Sequence, residues 1–176
     1  MSTLAKDDAY FQTGIDSLEA YLLSDDLYWP LQAGQPRLTV SGLLLACRRL
    51  KARLSFAEGE QRSMQLERIQ LKWRSAWERK AGREFHARFD LWRNFLDDVR
   101  RSDPKTGMYI QQVEYRVMLQ LLRDELSLPT PDMVAMDDLD RLLRTLWLPG
   151  VFIWEADLAG IFPQPDFWFL YGSLKP

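Results

Sequence analysis

EQRSMQLERIQLKWRSAWERKAGREFHARFDLWRNFLDDVRR, residues 60–101, runs for 42 residues without a proline. Proline removes a backbone donor and clashes with the preceding turn, so its absence leaves a helical ladder unbroken. Apolar residues recur at three- and four-residue steps: Trp73 and Trp77 on one face, then Phe85, Phe89, Trp92 and Leu96. That is the period of an amphipathic helix. As one α-helix the segment would extend about 63 Å, whereas a compact domain of this length has a radius of gyration of only about 16 Å. On an ideal wheel the two stripes are offset by roughly 100°. The segment therefore predicts one very long central helix whose buried face changes, or which bends near Gly82.

Helical patterning continues on both sides. A first helix is expected from Asp8 to Leu23, with Asp7 or Asp8 as N-cap and Phe11, Ile15, Leu18 and Leu22 in its stripe. Trp29-Pro30, Gly34 and Gln35-Pro36 mark a loop. A second helix starts at Thr39 or Ser41 and carries Leu43, Cys47, Leu50 and Leu54. Ser55 and Glu58 have the spacing of a capping box. Beyond the long segment, Ser102-Asp103-Pro104 and Gly107 predict a turn. A helix from Met108 to Leu126 follows, with Ile110, Val113, Val117 and Leu121 on one face. Asp132 or Asp137 can cap another helix with Leu139, Leu142, Leu143 and Leu146 inside, stopped by Pro149-Gly150. The sum is an all-α fold: an elongated bundle of about five helices in a single domain, 1–176. Residues 1–148 form the bundle, and 149–176 are an irregular, aromatic-rich tail with a short helix near Glu155–Ala159.

The chain has 176 residues, 47% hydrophobic and 27% charged, which suits a packed domain and argues against general disorder. Its single cysteine, Cys47, excludes an internal disulfide framework and multi-cysteine metal sites, and its apolar neighbours predict a buried thiol. No apolar h-region follows Met1–Asp8, and the longest apolar runs fall far short of a membrane span. A cytoplasmic protein with no membrane span is expected.

The net charge of −2 hides a segmental asymmetry. Residues 1–47 carry −4, residues 48–105 carry +7 and residues 106–176 carry −5. Arg68, Lys72, Arg79 and Arg83 fall on one face of the long segment and form a candidate basic surface. It can be a solvated face, it can pair with the acidic segments, or it can bind a polyanion. The acidic isoelectric point of about 5.5 and the lack of interleaved aromatics make nucleic acid the less favoured partner. Trp154, Phe167, Trp168, Phe169 and Tyr171 form a candidate aromatic interface, with packing onto the bundle as the competing explanation. His86 and Asp90, at i and i+4, are the candidate acid–base pair. Asp137, Asp138 and Asp140 read as a helix start.

Glycine-rich phosphate loops and the Gly-x-Ser-x-Gly elbow are absent. The Glu-x-x-His pattern of carboxylate-bridged metal bundles fails, because position 83 is Arg. No cofactor is expected, and the residues carry no familiar family signature. The sequence points first to an interaction or scaffold module that self-associates, with a dimer favoured. A helical regulator binding nucleic acid or another polyanion is the second reading, and a ligand- or metal-binding bundle enzyme the third.

Overall fold

The structure, a computed structural model, describes residues 3–101 and 106–176 and every side chain among them except those of 106 and 107. Among these residues the fold is all-α apart from one pair of short strands. The elements are α1 (Thr3–Leu23), α2 (Val40–Arg53), α3 (Phe56–Lys72), α4 (Arg74–Arg101), α5 (Thr106–Glu125), α6 (Thr130–Leu146), β1 (Trp147–Pro149) and β2 (Gly172–Leu174). Short 3-10 helices occupy Ala156–Ile161 and Trp168–Leu170. The turn expected at Ser102-Asp103-Pro104 lies outside the described residues. The chain divides within α4 into two compact units, one ending at Glu84 and the other beginning at Phe85.

The 60–101 run is two helices, not one. Trp73 leaves helical geometry with φ −117° and ψ 34°. Its N–H still donates to the Ile69 carbonyl at 3.0 Å, and its own carbonyl accepts from Trp77 N–H at 2.9 Å. The interruption is thus one residue wide, and it falls at an indole and not at Gly82, which lies inside α4. The apparent change of face also has a physical cause. Trp77, Lys80, Ala81 and Glu84 are buried in the first unit, and Phe85, Arg88, Trp92, Leu96 and Val99 in the second. Positions 77, 80, 84, 88, 92, 96 and 99 follow one another at three- and four-residue steps, with 81 and 85 beside them. Charged side chains fill the buried stripe between the aromatic groups, so a reading of hydrophobicity alone breaks it into two.

In the first unit, α1 begins at Thr3, ahead of the expected Asp8. Asp7 and Asp8 are therefore not caps. Asp7 pairs with Arg53 at 2.9 Å and Asp8 with Arg62 at 3.0 Å. Thr39 caps α2 by accepting from Gly42 N–H at 3.1 Å. Ser55 and Glu58 form the expected capping box at the start of α3. Phe11, Leu18, Leu22, Leu38, Val40, Leu43 and Leu50 are fully enclosed. Burying each such side chain is worth about 1.5–3 kcal/mol before conformational entropy is charged against it. Gly14 permits the close α1–α2 approach, since a Cβ there would lie 2.7 Å from Leu43 Cδ2.

In the second unit, α6 ends where Trp147 enters β1, which pairs antiparallel with β2 in the register Trp147–Leu174, Leu148–Ser173 and Pro149–Gly172. The strand pair was not expected from sequence, because three residues carry too little alternation to register. A Cβ on Gly172 would collide with the Leu148 carbonyl and the Trp147 ring, so only glycine fits there. Phe162, Phe167, Phe169, Leu170 and Leu174 are buried, and the tail forms much of this unit's core. Val113, Val117 and Leu121 are inside as expected, but Ile110 is 51% exposed and Tyr109 takes the buried place. α6 starts at Thr130 behind Pro129 with no side-chain cap. Asp137, Asp138 and Asp140 lie well inside it, so they are not a helix start. No helix among the described residues is long and apolar enough to cross a membrane.

Candidate functional site

α3 is covered from one side. Gly59 and Leu66 are buried beneath it. On the opposite face Ala57, Met64 and Leu71 recur at seven-residue spacing and are all exposed. Met64 is 66% and Leu71 63% accessible, and Phe56 beside them is 85% accessible. Glu60, Glu67 and Arg68 flank the apolar row and line a shallow open depression with it. Lys51 pairs with Glu60 at 2.8 Å. Among the described residues, Glu67 and Arg68 make no ion pair. Capping at Ser55 fixes where α3 begins, and Gly59 lets it settle close to Lys51 of α2, where a Cβ would meet the Lys51 Cα at 3.2 Å. The outer face is thus held rigidly while its apolar row faces solvent. The heptad spacing of positions 57, 64 and 71 was readable in the sequence, but the tryptophan stripes of the neighbouring segment dominated the reading.

All four residues of the basic surface are exposed. The Trp73 interruption leaves Arg68 and Lys72 on α3 and puts Arg79 and Arg83 on α4. Lys72 Nζ lies 3.2 Å from the Glu19 carboxylate, and Arg83 donates to the Asp25 carbonyl at 2.9 Å. Together with the Asp7–Arg53 and Asp8–Arg62 pairs, the Lys72–Glu19 contact joins acids of the N-terminal segment to the basic middle of the chain, whereas Arg83 meets a neutral backbone carbonyl. The exposed Lys72–Glu19 pair contributes little stability, but it neutralises part of the positive face.

Beneath that surface lies a buried charged cluster. Lys80 and Glu84 occupy successive turns of α4 and have no accessible surface. Lys80 Nζ donates to Ser24 Oγ at 3.3 Å and to the Asp26 carbonyl, and sits 4.6 Å from the Tyr21 ring centroid. Glu84 accepts from Ser41 N–H at 3.1 Å and from Ser41 Oγ at 2.5 Å. Lys80 therefore places a cation just past the C-terminus of α1, and Glu84 an anion at the N-terminus of α2. Each sign complements the adjacent helix dipole. Burial, followed by the neighbouring Arg83 charge, lowers the Lys80 pKa below its ordinary range. The cluster ties the α1–α2 connection to α4, and its polar atoms are occupied by that task.

The aromatic residues divide in two. Phe167 and Phe169 are core, while Trp154, Trp168 and Tyr171 are half-buried. Arginines of α5 and α6 hold the tail. Arg116, 2% accessible, pairs with both Asp140 oxygens at 2.7 and 2.8 Å and lies 4.4 Å over the Phe169 ring. Arg144 lies 3.7 Å over the Trp168 ring. Tyr109 OH donates to the Phe169 carbonyl at 2.7 Å, and desolvation pushes its pKa well above the ordinary phenol range. Tyr171 OH donates to the Phe162 carbonyl at 2.9 Å.

His86 is exposed, and its Nε2 faces Asp132 of α6 at 3.4 Å, while Asp90 pairs with Arg93 at 2.8 Å. Cys47 is buried 3.8 Å from Ser63 Oγ, and its pKa is raised chiefly by that burial. Among the described residues no group of three His, Cys, Asp or Glu side chains is arranged to hold a metal ion. Compared with known proteins, the chain matches no family model, no curated protein and no solved structure.

Proposed function

We propose that this chain is a cytoplasmic helical interaction module that works by self-association. The outer face of α3 carries the reading: Met64 and Leu71 stay 66% and 63% accessible on a capped helix whose other face is packed. Apolar side chains in a regular row on an ordered helix favour contact with a second helix. Sedimentation equilibrium from about 1 µM to 1 mM tests it, that span covering the weak end of specific association. A monomer–dimer equilibrium supports the reading, and a monomer throughout removes it. The polyanion reading has less support, because Lys72 and Arg83 already have partners in the first unit. Retention on heparin at low salt that is lost on neutralising Arg68 and Arg79 would revive it.

A further inference from the structure

Resting on the self-association reading, we infer that the dimer forms through α3, with two copies of the helix packed parallel and in register, Ala57, Met64 and Leu71 each meeting its own equivalent. The seven-residue spacing supplies one of the two apolar positions of a two-helix seam, the other being polar (Glu60 and Glu67, or Gln61 and Arg68), so the contact is narrow and its charged flanks carry more of the recognition. A flat or grooved partner would not need that repeat.

The charges beside the row decide the direction. Taking Met64 as facing the partner, Arg68 lies roughly 40° to one flank and Glu67 roughly 60° to the other, at 100° per residue. Glu60 lies on the same flank as Glu67, and Gln61 on the flank of Arg68. A two-fold axis parallel to the helices brings opposite flanks together. Arg68 of each copy then neighbours Glu67 of the other, and Gln61 neighbours Glu60. An antiparallel pair brings like flanks together and sets Glu67 of one copy beside Glu60 of the other. The parallel arrangement therefore makes two opposite-charge pairs from residues that have no ion pair among the described residues, and the antiparallel one makes repulsions. The face is complementary to itself.

The 17 residues of α3 give a seam about 25 Å long. That is small for a stable interface, so a dissociation constant of roughly 10–100 µM is expected.

Sedimentation equilibrium on the full chain reads three variants beside the wild type. Met64→Glu buries a charge in the seam and should raise the dissociation constant by more than about 30-fold. Arg68→Glu should raise it about tenfold, and Glu67→Arg combined with Arg68→Glu should return it to within about threefold of wild type. All these positions are exposed, so the circular dichroism melt should not move. Direction is read in a Cys47→Ala background, with Ala57→Cys and Leu71→Cys introduced separately. Under mild oxidation each variant should cross-link to itself, and a mixture of the two should give little 57–71 product. A wild-type dimer indifferent to Met64→Glu overturns the inference and leaves self-association standing, as does a dominant 57–71 cross-link, which makes the pair antiparallel. A wild-type monomer at every concentration removes both.

Discussion

Replacing Arg116 by Ala should unfold the second unit's tail far more readily than removing an exposed arginine would. Arg116 is 2% accessible and binds both oxygens of Asp140 at 2.7 and 2.8 Å. Its guanidinium also covers the Phe169 ring at 4.4 Å. Removing one member of a buried pair leaves the other charge without a partner, which costs about 3–5 kcal/mol. Asp140 keeps 18% accessibility, so water recovers part of that loss and the lower end applies. The lost cation–π contact adds about 1 kcal/mol. The expectation is a loss of about 3–4 kcal/mol for Arg116→Ala, read from urea unfolding by tryptophan fluorescence and far-ultraviolet circular dichroism. Asp140→Ala should cost as much or more, because the stranded arginine is the deeper group. The double variant Arg116→Met, Asp140→Leu should recover most of the loss, since apolar residues of similar size need no partner. A loss below about 0.5 kcal/mol for Arg116→Ala would refute the reasoning, for it would mean that the pair is solvated and the tail is anchored by its aromatic packing alone.

Three further expectations concern other buried groups. Tyr109→Phe removes the hydroxyl bonded to the Phe169 carbonyl and should cost about 1–2 kcal/mol at pH 7. Because the folded Tyr109 pKa is raised, its stabilisation is complete below about pH 10 and is lost as pH rises further; the gap between wild type and variant in urea midpoint should narrow by pH 11, and a gap independent of pH would contradict the assignment. Glu84→Gln turns one acceptor toward the Ser41 donors into an amide donor and should cost about 1.5–3 kcal/mol; an unchanged urea midpoint would show that the α2 terminus does not depend on it. Cys47, buried with a raised pKa, should react with a thiol reagent at pH 8 at least about 100-fold more slowly in the folded protein than in urea, and equal rates would place the thiol at the surface.

Where sequence and structure agree, one local signal was sufficient. Thr39 and the Ser55–Glu58 box fix helix starts through side-chain bonds to the nearest backbone N–H groups, and such bonds need nothing from the rest of the fold. The expected stop at Pro149-Gly150 is not where α6 ends: the helix closes at Leu146, where Trp147 turns into β1 and its distant partner β2. Where they differ, a long-range partner had reassigned a residue whose local meaning was plausible. Asp7 and Asp8 look like caps until Arg53 and Arg62 arrive from α2 and α3. Asp140 looks like a helix start until Arg116 claims it from α5. Lys80, Glu84 and Arg88 are charged, yet they sit in the buried stripe. Asp7, Asp8, Lys80, Glu84 and Asp140 each meet a partner at least 24 residues away in the chain. Charge is thus the component whose placement a single sequence conceals, because an ion's burial depends on who meets it, whereas a leucine's depends mainly on its period. The same asymmetry explains why the α3 face stood unnoticed. Its apolar row is only three residues long, and what distinguishes it from an ordinary solvated helix is that, among the described residues, Glu67 and Arg68 make no ion pair, whereas Glu60 and Arg62 on the same helix do.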